Sequence, residues 1–158
     1  MDGGRWLDDE EMRAWRGLVM VASRLFDQLD AELRAAHDLS LADYEILANL
    51  SEAPSRRLRM SQLAEGALVS RSRLTHHVNR MEAEGLVRRE ACPTDRRGAF
   101  AVLTDEGRAR VEAAAPAHVA GVRRLFVDVL PAPLLPAVSK GLAAVAGALA
   151  PACRPATG

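Results

Sequence analysis

The chain has 158 residues, 49% of them hydrophobic but only 4% aromatic, with equal numbers of acidic and basic groups. That length allows one compact domain whose core is built from Ala, Leu and Val, so a mainly α protein is expected. Two cysteines exclude a disulfide framework, the N-terminus lacks the apolar run of an export signal, and the stretch from Leu125 to Ala150 is broken by Asp128, three prolines and Lys140; a soluble, cytoplasmic protein is expected.

From Asp8 to about His37, Trp15, Leu18, Val19, Ala22, Leu25, Phe26, Leu29 and Leu33 recur at helical spacing. They predict one long amphipathic helix whose stripe needs a cover. A second helix is expected from Leu41 to Leu50, with Ser40 as its N-cap and Tyr44, Ile46, Leu47 and Leu50 inward. Glu52 to Arg59, with Pro54 and three arginines, reads as a loop or short edge strand.

A short helix from Ser61 to about Ala67 follows, with Ser61 as N-cap and Leu63, Ala64, Ala67 and Leu68 inward. The connection Leu68-Val69-Ser70 leads to a helix from Arg71 to Glu84, and Gly85 supplies its left-handed stop. Leu86–Ala91 and Ala99–Leu103 read as strands around the turn-rich segment from Cys92 to Gly98. Thr104 caps a helix running toward Leu130, with a bend expected near Pro116. A last helix fits Pro133 to Leu149, and the Pro/Ala-rich tail 151–158 is expected to fray. Helix, turn, helix and hairpin in that order make a winged helix-turn-helix: mainly α with a small β-hairpin wing.

The zero net charge hides a segregation. Residues 1–53 carry five arginines against twelve acids, whereas 54–110 carry twelve against seven and 111–158 four bases against two. A basic middle suits a polyanion.

On a helical wheel the Arg71–Glu84 segment places Leu74, Val78 and Met81 in one narrow sector. Ser72, Thr75, His76 and Asn79 fall on the opposite side, flanked by Arg73 and Arg80, and no acid appears before Glu82. An ordinary solvated face usually mixes both signs. Arginine can fork onto guanine, asparagine onto adenine, and Ser or Thr onto several base edges in a major groove. Ser70 at the N-cap leaves backbone N–H groups for a phosphate. At the hairpin tip, Arg96 and Arg97 beside Asp95 suit a narrow, negative minor groove, with the carboxylate holding one guanidinium in place.

The run from Met60-Ser61-Gln62-Leu63-Ala64, through Asn79-Arg80-Met81-Glu82-Ala83-Glu84-Gly85-Leu86-Val87 and Thr94-Asp95-Arg96-Arg97-Gly98, to Leu103-Thr104-Asp105-Glu106-Gly107 resembles the MarR family of bacterial regulators. The resemblance extends over roughly residues 8–150. It implies a homodimeric, effector-responsive repressor of a palindromic operator, with a winged-helix lobe (41–107) and dimerisation helices (8–37 and 108–150). It implies that Arg71–Glu84 is the recognition helix and that Arg97 is the wing arginine, oriented by Asp95. Cys92 before the wing proline and the prolines at 131, 133 and 136 depart from the family pattern.

The family's usual input is a small aromatic or lipophilic effector, for which Trp15, Arg16, His37 and Tyr44 are the candidate pocket residues. Two other readings stay open: a winged helix docking an acidic protein partner, and a thiol-redox sensor using Cys92 among Arg89, Arg96 and Arg97. By its position, Cys92 is otherwise a surface residue, and Cys153 lies in the tail. His76 and His77 are adjacent and diverge on a helix, so no metal site is expected, and no cofactor or catalytic motif is visible.

Overall fold

The structure is a computed structural model that describes residues 5–66, 70–92 and 95–149; the side chains of Arg71, Asp95, Arg96 and Arg97 fall outside that description. The chain divides into two compact units, residues 1–121 and 122–158.

In the first unit, α1 (Asp9–His37) opens with Asp8 accepting from the Glu10 and Glu11 backbone N–H groups while Glu11 reaches back to Asp8 N–H. This reciprocal cap satisfies donors that the first turn cannot pair internally. Asp38, in the left-handed region at φ 52°, closes the helix. Only Leu29 and Leu33 of α1 are buried, both near its C-terminal end. Trp15, Leu18, Val19, Met20, Val21 and Phe26 are all exposed.

The helix α2 (Leu41–Glu52) buries Leu41, Tyr44, Ile46, Leu47 and Leu50. A single 3-10 turn leads into β1 (Arg57–Arg59), which pairs antiparallel with the outer part of β3 as an edge strand. The helix α3 spans Met60–Gly66. Ser61 therefore lies inside the helix and does not cap it. Gln62 does that work instead, accepting from Arg59 N–H at 3.1 Å. Ala67, Leu68 and Val69 lie outside the described residues.

The helix α4 (Arg71–Ala83) seats Leu74, Val78 and Met81 with no exposed surface. It ends on Gly85 at φ 77°, with Gly85 N–H donating to Glu82 O at 3.1 Å and Leu86 N–H to Met81 O at 2.8 Å. Those two bonds satisfy carbonyls the last turn leaves open. The hairpin β2 (Val87–Cys92) and β3 (Asp95–Leu103) completes a sheet of order β1-β3-β2. Pro93 and Thr94 lie outside the described residues.

Thr104 joins the hairpin to α5 (Asp105–Val122): its hydroxyl accepts from Gly107 N–H at 3.0 Å and donates to Gly85 O at 2.7 Å. Gly107 is buried so tightly against the Leu86 carbonyl that no Cβ fits there. The helix runs through Pro116 without interruption. Pro116 and Glu112 are both exposed, so the carbonyl that loses its donor stays open to water.

The second unit begins with a π-helical turn at Arg123–Val127, where Arg123 pairs with Asp128 at 2.7 Å. A 3-10 turn, Ala132–Leu134, then leads into α6 (Leu135–Leu149). By length and composition alone, Ala132–Leu149 would suffice to cross a membrane, contrary to the sequence-based expectation of a poor span. Cys153 and the tail lie outside the described residues.

Candidate nucleic-acid interface

The core of the first unit presents one face of α4 outward. Ser72, Arg73, Thr75, His76 and Asn79 are exposed, opposite the fully buried Leu74, Val78 and Met81. The sequence places these five side chains on one face, and the structure keeps them there. Ser70 occupies the N-cap with extended backbone (φ −62°, ψ 156°), yet its side chain makes no capping bond to the helix. Its hydroxyl lies 3.2 Å from that of Ser72. The first-turn N–H groups are thus left without a side-chain cap, which is the arrangement that binds phosphate.

The positive balance of the middle segment is smaller on the surface than in the sequence. Arg56 pairs with Asp105 at 2.8 Å, and Arg57 lies 3.5 Å from Glu90 and stacks over the Phe100 ring at 3.8 Å. Arg88 pairs with the same Glu90, Arg89 with Glu82 at 3.8 Å, and Arg108 with Glu112 at 2.6 Å. Each such pair cancels charge locally. Arg73 has no acidic partner among the described residues, and it stands on the outward face of α4.

Arg80 differs from the other predicted side chains of α4. Its guanidinium pairs with Asp43 of α2, a carboxylate whose side chain is 2% exposed, and lies 3.6 Å from Glu84. His77, half-buried on the same flank, places Nδ1 2.7 Å from the other oxygen of Asp43. Ser40 adds its hydroxyl and its backbone N–H, the latter at 3.2 Å. Burial pushes the Asp43 carboxyl up, but the Ser40 hydroxyl, the His77 ring and Arg80 outweigh it and hold the group below its ordinary value of 3.8. An ionised carboxylate only accepts, so Nδ1 of His77 carries the proton.

Sequence reading missed Asp43 and His77. The available signal was Ser40-x-x-Asp43, a capping box, together with a histidine flanking the buried sector of α4, where a polar ring needs a partner.

The wing's position is defined by β3, which begins at Asp95 and pairs Ala99 with Ala91. The side-chain roles expected of Asp95, Arg96 and Arg97, and of Arg71, lie outside the described residues. Cys92 is 5% exposed, so it is neither a surface residue nor an accessible thiol. A register shift between Ala91 and Cys92 is the reason. Alternation from buried Val87 would point Cys92 outward, and the irregularity reverses the phase.

The four candidate pocket residues do not converge within one chain. Trp15 and Arg16 are exposed on α1, and about 30 Å of helix axis separates them from His37. Tyr44 is buried, its ring tilted against His118 at a centroid distance of 4.3 Å. His118 borders a cavity of about 270 Å³ lined by Leu29, Leu33, Ala35, Ala36 and Ala117, with Glu32 at its edge. Burial lowers the His118 pKa below its ordinary 6.5 and raises that of Glu45, so the 3.9 Å approach of these groups is not a charged pair.

The MarR family model matches residues 37–98, from the end of α1 to the wing. The transcriptional regulator PecS of Dickeya dadantii (strain 3937) is 31% identical over 112 residues, which cover 70% of this chain and 67% of PecS. The chain belongs to the MarR family. Two solved regulators of the same family, both from Streptomyces coelicolor, resemble it nearly end to end. Sco3205, solved in complex with DNA, is 42% identical with a TM-score of 0.89 and covers 96% of this chain and 95% of its own. AbsC is 47% identical with a TM-score of 0.84, covering 92% and 98%. This MarR-family protein is therefore a transcriptional regulator with a winged-helix fold, not an enzyme.

Proposed function

We propose that this MarR-family regulator is a cytoplasmic homodimeric repressor that reads a short palindrome in double-stranded DNA. The observation that carries the reading is the exposed face of α4, where Ser72, Arg73, Thr75, His76 and Asn79 stand free of acids above a fully buried apolar sector. In this reading α4 enters the major groove, its N-terminus meets a phosphate at Ser70 and Arg71, and Arg96 and Arg97 enter the minor groove with Asp95 orienting Arg97. The exposed stripe of α1 is covered by a second copy, so that residues 8–37 and 108–150 form the dimer region. The likeness to Sco3205 spans 96% of this chain and so includes most of α6, which supports reading α6 as part of the dimer arm instead of a membrane span.

The test is binding to a duplex selected from random sequence by the wild-type protein. Arg73→Ala and Arg97→Ala are each expected to weaken binding by about 10- to 100-fold, as removal of one good contact per half-site does, with the dimer still folded. Unchanged affinity in both variants contradicts the assigned surface.

Effector control is assigned to the apolar cavity beside His118, with Trp15, Arg16, His37 and Tyr44 contributing only as the dimer brings them near. A ligand there acts by binding the DNA-incompetent arrangement more tightly. A panel of small aromatic acids is expected to contain one that raises Tm and releases the selected duplex; a ligand that raises Tm and leaves DNA binding unchanged contradicts the assignment.

A further inference from the structure

We infer that Asp43 is a positioning residue for DNA reading, clamping α4 through His77 and Arg80, and that Arg80 is a strut of the lobe and not a reader of bases. The inference rests on the reading that α4 lies in the major groove. Leu74, Val78 and Met81 hold α4 against the core, but apolar contact is non-directional and leaves a helix some freedom to roll and slide. Base edges are read by hydrogen bonds, which tolerate misplacement of only about 0.5 Å. His77 and Arg80 are three residues apart on one flank of α4, and both grip the same carboxylate. Two directional bonds to one fixed point hold that flank of the helix in place.

The fixed point is itself well held. The two oxygens of Asp43 receive donors from His77, Arg80, the Ser40 hydroxyl and the Ser40 backbone, which uses the full accepting capacity of a buried carboxylate. The start of α2 is tied in turn to α1: Asp30 accepts from Leu41 N–H at 2.8 Å and from Arg34 Nε at 2.6 Å. A continuous run of polar contacts therefore joins Arg34 and Asp30 on α1, through the first turn of α2, to the flank of the reading helix.

The test compares affinity for the selected duplex with affinity for a scrambled duplex of equal length, using the full chain. Asp43→Asn keeps the shape and the Ser40 backbone bond but turns an amide toward two donors. It is expected to lower discrimination between the duplexes at least about tenfold, the loss caused by misreading one base pair, with scrambled-duplex affinity at low salt unchanged. Asn79→Ala serves as the reference for loss of direct reading. Arg80→Gln, at an exposed side chain, keeps the test decisive should Asp43→Asn not fold. It is expected to lower discrimination in the same direction, to leave the salt dependence of binding unchanged, and to add little to Asp43→Asn.

Two results overturn the proposal alone: Asp43→Asn folding with wild-type discrimination, or Arg80→Gln weakening both duplexes equally with a salt slope shallower by about 0.9, the signature of a lost phosphate contact. Discrimination surviving in Asn79→Ala shows that α4 is not the reader, and the proposal then falls with the reading beneath it.

Discussion

Placing glutamate at both Leu18 and Phe26 is expected to yield monomers whose affinity for the selected duplex falls by about 10²- to 10⁴-fold, the avidity lost when two linked half-sites become independent. The physical case lies in α1. Trp15 is 56% exposed, and Leu18, Val19 and Phe26 are each more than 40% exposed, within three turns of one helix. Small monomers seldom leave so much contiguous apolar surface in water. A two-fold partner covers it with the same surface of its own. The winged lobe does not depend on this stretch, because the buried residues of α1 are Leu29 and Leu33, farther along the helix. Two charges in the stripe therefore disrupt the pairing and spare the core. Sedimentation velocity reads the mass, and circular dichroism checks that helix content persists; a dimer that survives both glutamates contradicts this use of α1.

The largest effect on stability is expected at Leu74. Truncation to alanine removes a side chain with no exposed surface from the contact between α4 and the rest of the lobe, at a cost of about 2–5 kcal/mol. That is a large share of the roughly 5–15 kcal/mol that holds a typical domain folded. Ser72→Ala, two residues away on the exposed face, is expected to change stability by less than about 0.5 kcal/mol while weakening DNA binding. Urea unfolding of the two variants separates the faces. Equal stability losses would mean that the inward and outward sides of α4 have been misassigned.

Much of the fold is legible because local signals agree with one another. The acidic first turn and the apolar recurrence of residues 8–37 specify α1 almost to the residue, and Gly85 marks the stop after α4 because a left-handed turn suits glycine. The faces of α4 follow from periodicity alone: Leu74, Val78 and Met81 are buried as their spacing requires. The errors share a physical origin, since each depends on partners far along the chain or on a break in periodicity. Arg80 sits at the edge of the wheel, and where its long side chain turns is set by a carboxylate 37 residues earlier. Cys92 is buried because a register irregularity overrides alternation, and no composition reports that irregularity. The basic middle segment looked more available than it is, because the acids that neutralise Arg56, Arg57, Arg88 and Arg89 lie on other strands and turns or next to them in the sheet.

Guanine methylation interference on the selected duplex tests the central assignment most directly, because the guanine N7 atom lies only in the major groove. With α4 in that groove of each half-site, methylated guanines are expected to block binding in two clusters about one helical turn, or 34 Å, apart. One guanine in each cluster should lose its effect in Arg73→Ala. Tight binding that tolerates N7 methylation throughout the duplex would show that the outward face of α4 does not read DNA.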